Sequence, residues 1–511
     1  MFGCVKSAAI LGIDGYVVQV EADICNGLPQ FDMVGFLASE VREAKERVRT
    51  ALNHSGFELV PGRITVNLSP ADMRKEGNYF DLPIAIAILA AMGILPQEVC
   101  NRFLFVGELS LNGSLRPVDG IISIVSIAKK EGIFGCIVPS VNVNEGAMIQ
   151  GVSVYGMDSL KQVIKFLKNP EGFQPCIGIL PDFSKESEEN VDFGEINGQA
   201  AAKRAAVIAA AGMHNLLLIG PPGSGKSMLA KRIPGILPRL TMEESIEISK
   251  IYSICGLLKP EEGLVTIRPF RAPHHTISAS ALAGGGRIPR PGEISLANGG
   301  ILFLDELPEF QKSTLEVLRQ PLEDKKVVIS RVHGSYTYPT NTMVVCAMNP
   351  CACGYYPDRS RCRCSMRDVS RYLNHISQPL LDRIDISVEV PRVTYKEAVT
   401  HSEKNETSTQ LRQQVERALI MQRKRYENEA VQFNAQLSQQ QMKKYCKLGL
   451  TQQKLMEQVY ETMGLSARAY HKILKVARTI ADLEEEEEIS EQHLAEAIGY
   501  RCLDKKYWGE K

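Results

Sequence analysis

Gly220-Pro221-Pro222-Gly223-Ser224-Gly225-Lys226-Ser227 reads GPPGSGKS, and the apolar run Asn215–Ile219 (NLLLI) leads into it. A helix-forming run, Met228–Ile233, follows. A strand that passes through a glycine-rich turn into Lys-Ser and then a helix is the arrangement that cradles a phosphate chain. The glycines let backbone N–H groups turn toward phosphate oxygens at the positive end of the helix. In that frame Lys226 reaches the β- and γ-phosphates and Ser227 ligates magnesium. The whole run Gly220, Pro221, Pro222, Gly223, Ser224, Gly225, Lys226 and Ser227 is therefore the candidate nucleotide site. The competing reading is a structural glycine loop.

Downstream, Ile301-Leu302-Phe303-Leu304 runs into Asp305-Glu306. Acids often end an apolar strand, so it is their place behind a phosphate loop that gives these two a role. Asp305 would hold magnesium through water, and Glu306 would polarise the attacking water. A second apolar strand, Met343–Met348, ends at Asn349-Pro350. Asn349 there either orients the attacking water or forms a turn before proline. In Leu380-Leu381-Asp382-Arg383-Ile384-Asp385, Arg383 is either an arginine finger for a neighbour's γ-phosphate or an ion-pair partner of Asp382 or Asp385. Leu465-Ser466-Ala467-Arg468 opens a late helix, from which Arg468 would swing over a bound nucleotide.

At 511 residues the chain exceeds one ordinary core. Its first part, 1–170, alternates strand-like runs (Tyr16–Glu21, Ile64–Asn67, Leu104–Leu111) with helical ones (Ser39–Ser55, Leu82–Met92). Residues 171–192 read as a linker with Pro175, Pro181 and the polar run Ser184–Asn190. Residues 193–395 carry the nucleotide motifs, and 396–511 are helical throughout, with Ser490 and His493 at one helix start. The 59 basic and 59 acidic residues cancel, so any nucleic-acid surface must be local. Met1–Val20 lacks the basic start of a secretory signal, and the charge-free run Leu82–Leu95 is too short to span a bilayer and reads as a buried helix. Nine of the 13 cysteines are scattered singly, which points to reduced thiols in the cytoplasm, and with no run long enough to span a bilayer no membrane partner is expected.

The other four cysteines, Cys351, Cys353, Cys362 and Cys364, fall within 14 residues directly after the second apolar strand. They fit a Cys4 zinc site, with a labile disulfide or unpaired surface thiols as alternatives. The segment Tyr355–Tyr372 holds Arg359, Arg361, Arg363, Arg367 and Arg371 against Asp358 and Asp368. A stiffened basic loop with tyrosines suits contact with a nucleic-acid backbone, and equally suits a subunit interface. In the first part, Arg42, Lys45, Arg47 and Arg49 read as an ordinary solvated helix face, because Glu40, Glu43 and Glu46 interleave with them.

Taken in order, phosphate loop, Asp-Glu strand, sensor Asn349, finger Arg383 and lid Arg468 follow the AAA+ pattern. The chain resembles the magnesium-chelatase-like ComM/YifB family over nearly its whole length. The resemblance is carried by Arg268–His275 (RPFRAPHH), Pro291–Ala297 (PGEISLA), Ile301–Phe310 (ILFLDELPEF) and Asn349–Gly354 (NPCACG). It implies an α/β AAA+ P-loop domain with a helical lid and an ATP- and magnesium-dependent hydrolase. It also implies a homo-oligomeric ring, a hexamer, with Arg383 acting on the next subunit. The family activity it implies is ATP-driven branch migration on single-stranded or branched DNA during recombination or natural transformation. A motor that remodels a protein partner, as the chelatase motor subunit does, shares all of these residues and stays open. The segment before the Asp-Glu strand resembles the helix-2 insertion of such proteins, with Arg268, Arg271, His274, His275, Arg287 and Arg290. Val327–Val345 reads as a strand pair bearing Arg331, His333 and Tyr336 that faces the ring channel.

Residues 61–139 resemble the α+β fold of Lon-type proteases. A Ser–Lys dyad would need a serine just after Gly77 and a lysine just after Gly120. The sequence has Asn78-Tyr79-Phe80-Asp81 and Ile121-Ile122 there, so the catalytic dyad is lacking and proteolysis is not expected.

Overall fold

The computed structural model describes residues 1–179, 181–183, 192–286, 288–331, 334–395, 405–429 and 431–508. Arg287, His333 and the run Ser184–Asn190 lie outside the described residues. The chain forms two compact units, and the division is not a linear cut. One unit joins Met1–Asp182 to Thr241–Thr266 and Val328–Tyr338; the other comprises Phe183–Leu240, Ile267–Val327 and Pro339–Lys511.

The first unit is built on a seven-stranded mixed sheet in the order 30–34, 63–69, 14–25, 2–11, 103–105, 135–139, 153–157. Along Asp14–Cys25 the side chains of Val18, Val20, Ala22 and Ile24 are buried while Gln19 and Glu21 between them are less so. That two-residue period delivers one face of the strand to the core. The charge-free run supplies all but the first residue of the helix Asp81–Ala91, which is buried at every position. The expected helix over 39–55 is broken at Glu43 into Ser39–Arg42 and Ala44–His54. Arg47 on its second half does not belong to a solvated face. Its Nε and Nη2 donate to the buried Asp81 carboxylate at 2.7 and 2.9 Å, a bidentate pair that pins the two helices together.

Two segments distant in sequence complete this unit. The helix Met242–Ile254 starts in a Thr241/Glu244 capping box, and Ser253 near its end donates to buried Glu145. The hairpin Lys326–Arg331 with Gly334–Pro339 contributes Val328–Tyr338. Tyr336 on it is 9% exposed, so this ring is packed inside the protein rather than offered to a channel. The expected pair over 327–345 therefore ends at Pro339, and Met343–Met348 belongs to a different sheet.

That sheet is the centre of the second unit. Its five strands are all parallel, in the order 270–271, 301–304, 343–348, 216–219, 386–389. Leu216–Ile219, Ile301–Leu304 and Met343–Met348 are buried at every residue, as strands covered on both faces must be. Their short, uninterrupted apolar runs are the sequence image of that burial. The helix Ala200–Gly212 packs into the same core as these strands. From Ser408 onward the unit is helical: Ser408–Arg425, Gln439–Tyr445, Leu450–Met463, Ala467–Leu483, Glu491–Gly499 and Cys502–Trp508. Asp385, at the foot of the last strand, ties these helices to the sheet. It accepts the Asn215 N–H at 2.9 Å and pairs with Lys472 at 3.0 Å. Burial alone would raise its carboxyl, but Lys472 and His214 hold it well below the usual carboxylate range. Among the described residues no helix is long and apolar enough to cross a membrane.

Candidate nucleotide-binding site

In a parallel α/β sheet the carboxyl ends of the strands form the ligand edge. Three adjacent strands deliver the candidate residues there: Gly220 follows 216–219, Asp305 follows 301–304 and Asn349 follows 343–348. Between strand and helix, Gly225 has φ +87°, a conformation an L side chain rarely adopts, and it caps the helix Lys226–Arg232. Lys226 is 8% exposed, and its Nζ donates to Gly220 O at 2.8 Å, Pro221 O at 3.0 Å and Asn349 Oδ1 at 3.1 Å. Burial lowers its pKa, while Asp305 and Glu306 oppose that shift. Ser227 Oγ donates to Asp305 Oδ2 at 2.6 Å. Glu306 takes up a left-handed conformation at φ +52° and lies 3.6 Å from His275 Nδ1 through Oε2. The His275 and His274 rings pack at 4.0 Å between centroids, tilted by 35°, and His275 faces the acid.

The residues fit a magnesium nucleotide on a direct observation. Ser224 Oγ is buried inside the loop and has no hydrogen-bond partner among the described residues, and Ser227 and Asp305 already converge as a pair of hard oxygen ligands. Sequence reasoning missed two residues that shape the loop from outside. Gln199, at φ +56°, donates through Nε2 to Ser224 O. Arg392 Nη2 donates to Pro222 O at 3.2 Å and to the Tyr355 hydroxyl at 3.0 Å. A Gly-Gln step before an alanine-rich helix was the available signal for the first; nothing local marks the second.

Arg383 and Arg468 are placed elsewhere in the same unit. Arg383 donates to Arg319 O at 2.8 Å, Pro379 O at 2.6 Å and Glu323 Oε2. Arg468 Nη2 reaches Glu323 Oε1 at 3.2 Å. The structure thus groups Arg468 with Arg383, not with Lys226. The partner of Arg383 is Glu323, while Asp385 is taken by Lys472.

Cys351, Cys353, Cys362 and Cys364 bring their sulfurs within 4.8 Å of one another. Three of the separations are 3.3, 3.6 and 3.8 Å. A tetrahedral zinc with bonds near 2.3 Å sets sulfur atoms roughly 3.8 Å apart, so the donor set suits that ion. The Tyr356 N–H points at Cys351 Sγ at 3.4 Å. The knuckle abuts the phosphate loop: a Cβ on Gly354 would lie 2.3 Å from Pro222 Cδ. Arg359, Arg361, Arg363, Arg367 and Arg371 are all exposed along this segment, with Arg359 set over the Tyr356 ring at 5.1 Å. In the other candidate segment Arg268 and Arg271 are structural. Arg268 donates to Pro238 O and Gly299 O at 2.6 Å each, and Arg271 forms a bidentate pair with Glu293.

Comparison with known proteins matches residues 192–398 to the family model described as magnesium chelatase, subunit ChlI. Residues 20–142 match the model for subunit ChlI of Mg-chelatase, and 405–501 that for the ChlI C-terminal region. Competence protein ComM of Haemophilus influenzae is 43% identical over 507 residues, covering 98% of this chain and 97% of its own. The chain belongs to the magnesium-chelatase-like ComM/YifB family of AAA+ ATPases. YifB of Escherichia coli is 42% identical, over 98% of this chain and 97% of its own. A weaker similarity, 24% over 204 residues and 36% of each chain, is to Lon protease 2 of Bacillus subtilis.

Proposed function

We propose that this protein is a ring-forming ATP hydrolase, a hexamer, that moves along single-stranded or branched DNA and promotes branch migration in recombination or natural transformation. The observation that carries the reading is the split of the chemistry within one chain. Lys226, Ser227, Asp305, Glu306 and Asn349 converge at one edge of the sheet, while Arg383 and Arg468 meet at Glu323. A whole site therefore needs two copies, as a head-to-tail ring supplies.

In this reading Lys226 and the loop N–H groups orient the phosphates. Ser227, and Asp305 through water, would hold magnesium, which would supply charge neutralisation at the phosphates. Glu306, released from His275, takes a proton from the attacking water, and Asn349 orients that water. Arg383 from the next subunit stabilises the charge that develops on the transferred phosphoryl. The helices after Ser408 act as a lid. The competence role in the name of the Haemophilus relative and the exposed arginines beside the cysteine knuckle favour DNA as the track. Zinc in the four cysteines would stiffen that basic loop, and the first unit, without a Ser–Lys dyad, would not cleave protein. The working compartment is the cytoplasm.

The chelatase descriptions of the matched models favour a second reading, in which the same motor remodels a protein. ATP turnover measured with and without single-stranded and forked DNA separates them. Stimulation that fades as salt rises supports the DNA motor. No stimulation and no gel retardation would overturn it.

A further inference from the structure

Glu323 is held by two arginines from separate elements of the second unit, one on each carboxylate oxygen. Arg383 comes from the junction before the last strand of the sheet, and Arg468 from the first turn of the helix Ala467–Leu483. Arg383 is otherwise fixed by two backbone carbonyls and is 13% exposed, whereas Glu323 and Arg468 are 52% and 57% exposed. The three groups line a cavity of about 490 Å³ whose lining also includes Lys325, Lys472 and Lys475. Across that lining five cations face the three carboxylates of Glu323, Asp382 and Asp385. A carboxylate bridging two guanidinium groups occupies the geometry that a phosphate takes between two arginines. Such a pair at a half-exposed site is weakly held, and a multiply charged phosphate competes with it readily.

We propose that Glu323 is a positioning residue: it holds Arg383 and Arg468 together as an internal phosphate mimic until the γ-phosphate on a second copy of this chain displaces it. The proposal rests on the shared-site reading above. It adds a defined competitor to that site and makes both arginines act on the neighbour's nucleotide. It also gives the ring a threshold, because the arginines engage only when a triphosphate arrives to take the place of the carboxylate.

The test is the full-length Glu323→Gln variant, which keeps size and exposure and removes the charge. The apparent KM for ATP and the concentration of ATPγS at which half the chains assemble should both fall about two- to fivefold, the range set by an exposed ion pair, with kcat at least retained. A merely structural Glu323 would instead lower kcat with KM unchanged or raised, and that result overturns the proposal. Arg383→Ala and Arg468→Ala, assayed alongside, separate the two levels. If both variants keep wild-type turnover, the shared-site reading fails. If they lose it while Glu323→Gln leaves KM and assembly unchanged, only the role given to Glu323 fails.

Discussion

Replacing Gly354 with alanine should damage nucleotide binding from a residue outside the phosphate loop. Gly354 has φ +83°, where an L residue is disfavoured by roughly 1–2 kcal/mol. Its added Cβ would lie 2.3 Å from Pro222 Cδ, about 1 Å inside ordinary contact distance. Either the knuckle or the phosphate loop must yield. Cys353 immediately precedes Gly354, and a zinc held by it and the other three sulfurs would make the knuckle the stiffer of the two, so that Pro222 moves. A displacement near 1 Å at a positioned group costs on the order of 10²-fold. Gly354→Ala should therefore weaken binding of a fluorescent ATP analogue by tens of fold. The melting temperature should fall by only about 2–8 °C, as a 1–2 kcal/mol strain implies for a unit of this size, and zinc content should stay at the wild-type value. The assay is equilibrium fluorescence binding, with calorimetry and elemental analysis on the same samples. Affinity within twofold of wild type in metal-loaded protein would refute the idea that the knuckle presses on the loop.

Other outcomes follow from the same geometry. Lys226→Ala removes the cation held by Gly220, Pro221 and Asn349 and should abolish ATP turnover in a coupled assay without unfolding the chain. Asp385 titrates lower in the folded protein than in the unfolded one, so its contribution is fully present above about pH 4 and is lost as pH falls through the depressed value. Asp385→Asn should cost about 3 kcal/mol at neutral pH, since it leaves Lys472 without its carboxylate. It should also flatten the acid limb of stability, both measured by urea unfolding across pH. Protein purified without chelator should contain one zinc per chain, and Cys362→Ser should lose it; elemental analysis reads both.

Much of the second unit was legible because its signals are local. Four to six buried apolar residues, then Gly-Pro-Pro-Gly, Asp-Glu or Asn-Pro, encode a strand and its functional tip in one stretch. The start of Glu491–Gly499 was readable for the same reason: Ser490 Oγ accepts the His493 N–H and His493 Nδ1 accepts that of Ser490, a reciprocal cap written within four residues. What escaped the sequence was long-range. Phe2–Leu11 pairs with Asp14–Cys25 around a tight turn, yet of this ribbon only Tyr16–Glu21 read as a strand. Arg47 looked like one charge on a mixed helix face because Asp81, its buried partner, lies 34 residues away. Thr241–Thr266 sits between two nucleotide motifs in sequence and joins the other unit in space. Glu323 carried no signal at all, since its meaning depends on arginines 60 and 145 residues further along.

The central claim is a site made by two copies of the chain, and mixing two inactive variants tests it most directly. Arg383→Ala keeps the Lys226–Glu306 half intact, and Glu306→Gln keeps the arginine. Each alone should show almost no ATP turnover. In an equimolar mixture, random pairing around a ring rebuilds about one site in four, so roughly a quarter of wild-type turnover should return. A mixture no more active than the two variants assayed separately would contradict the account.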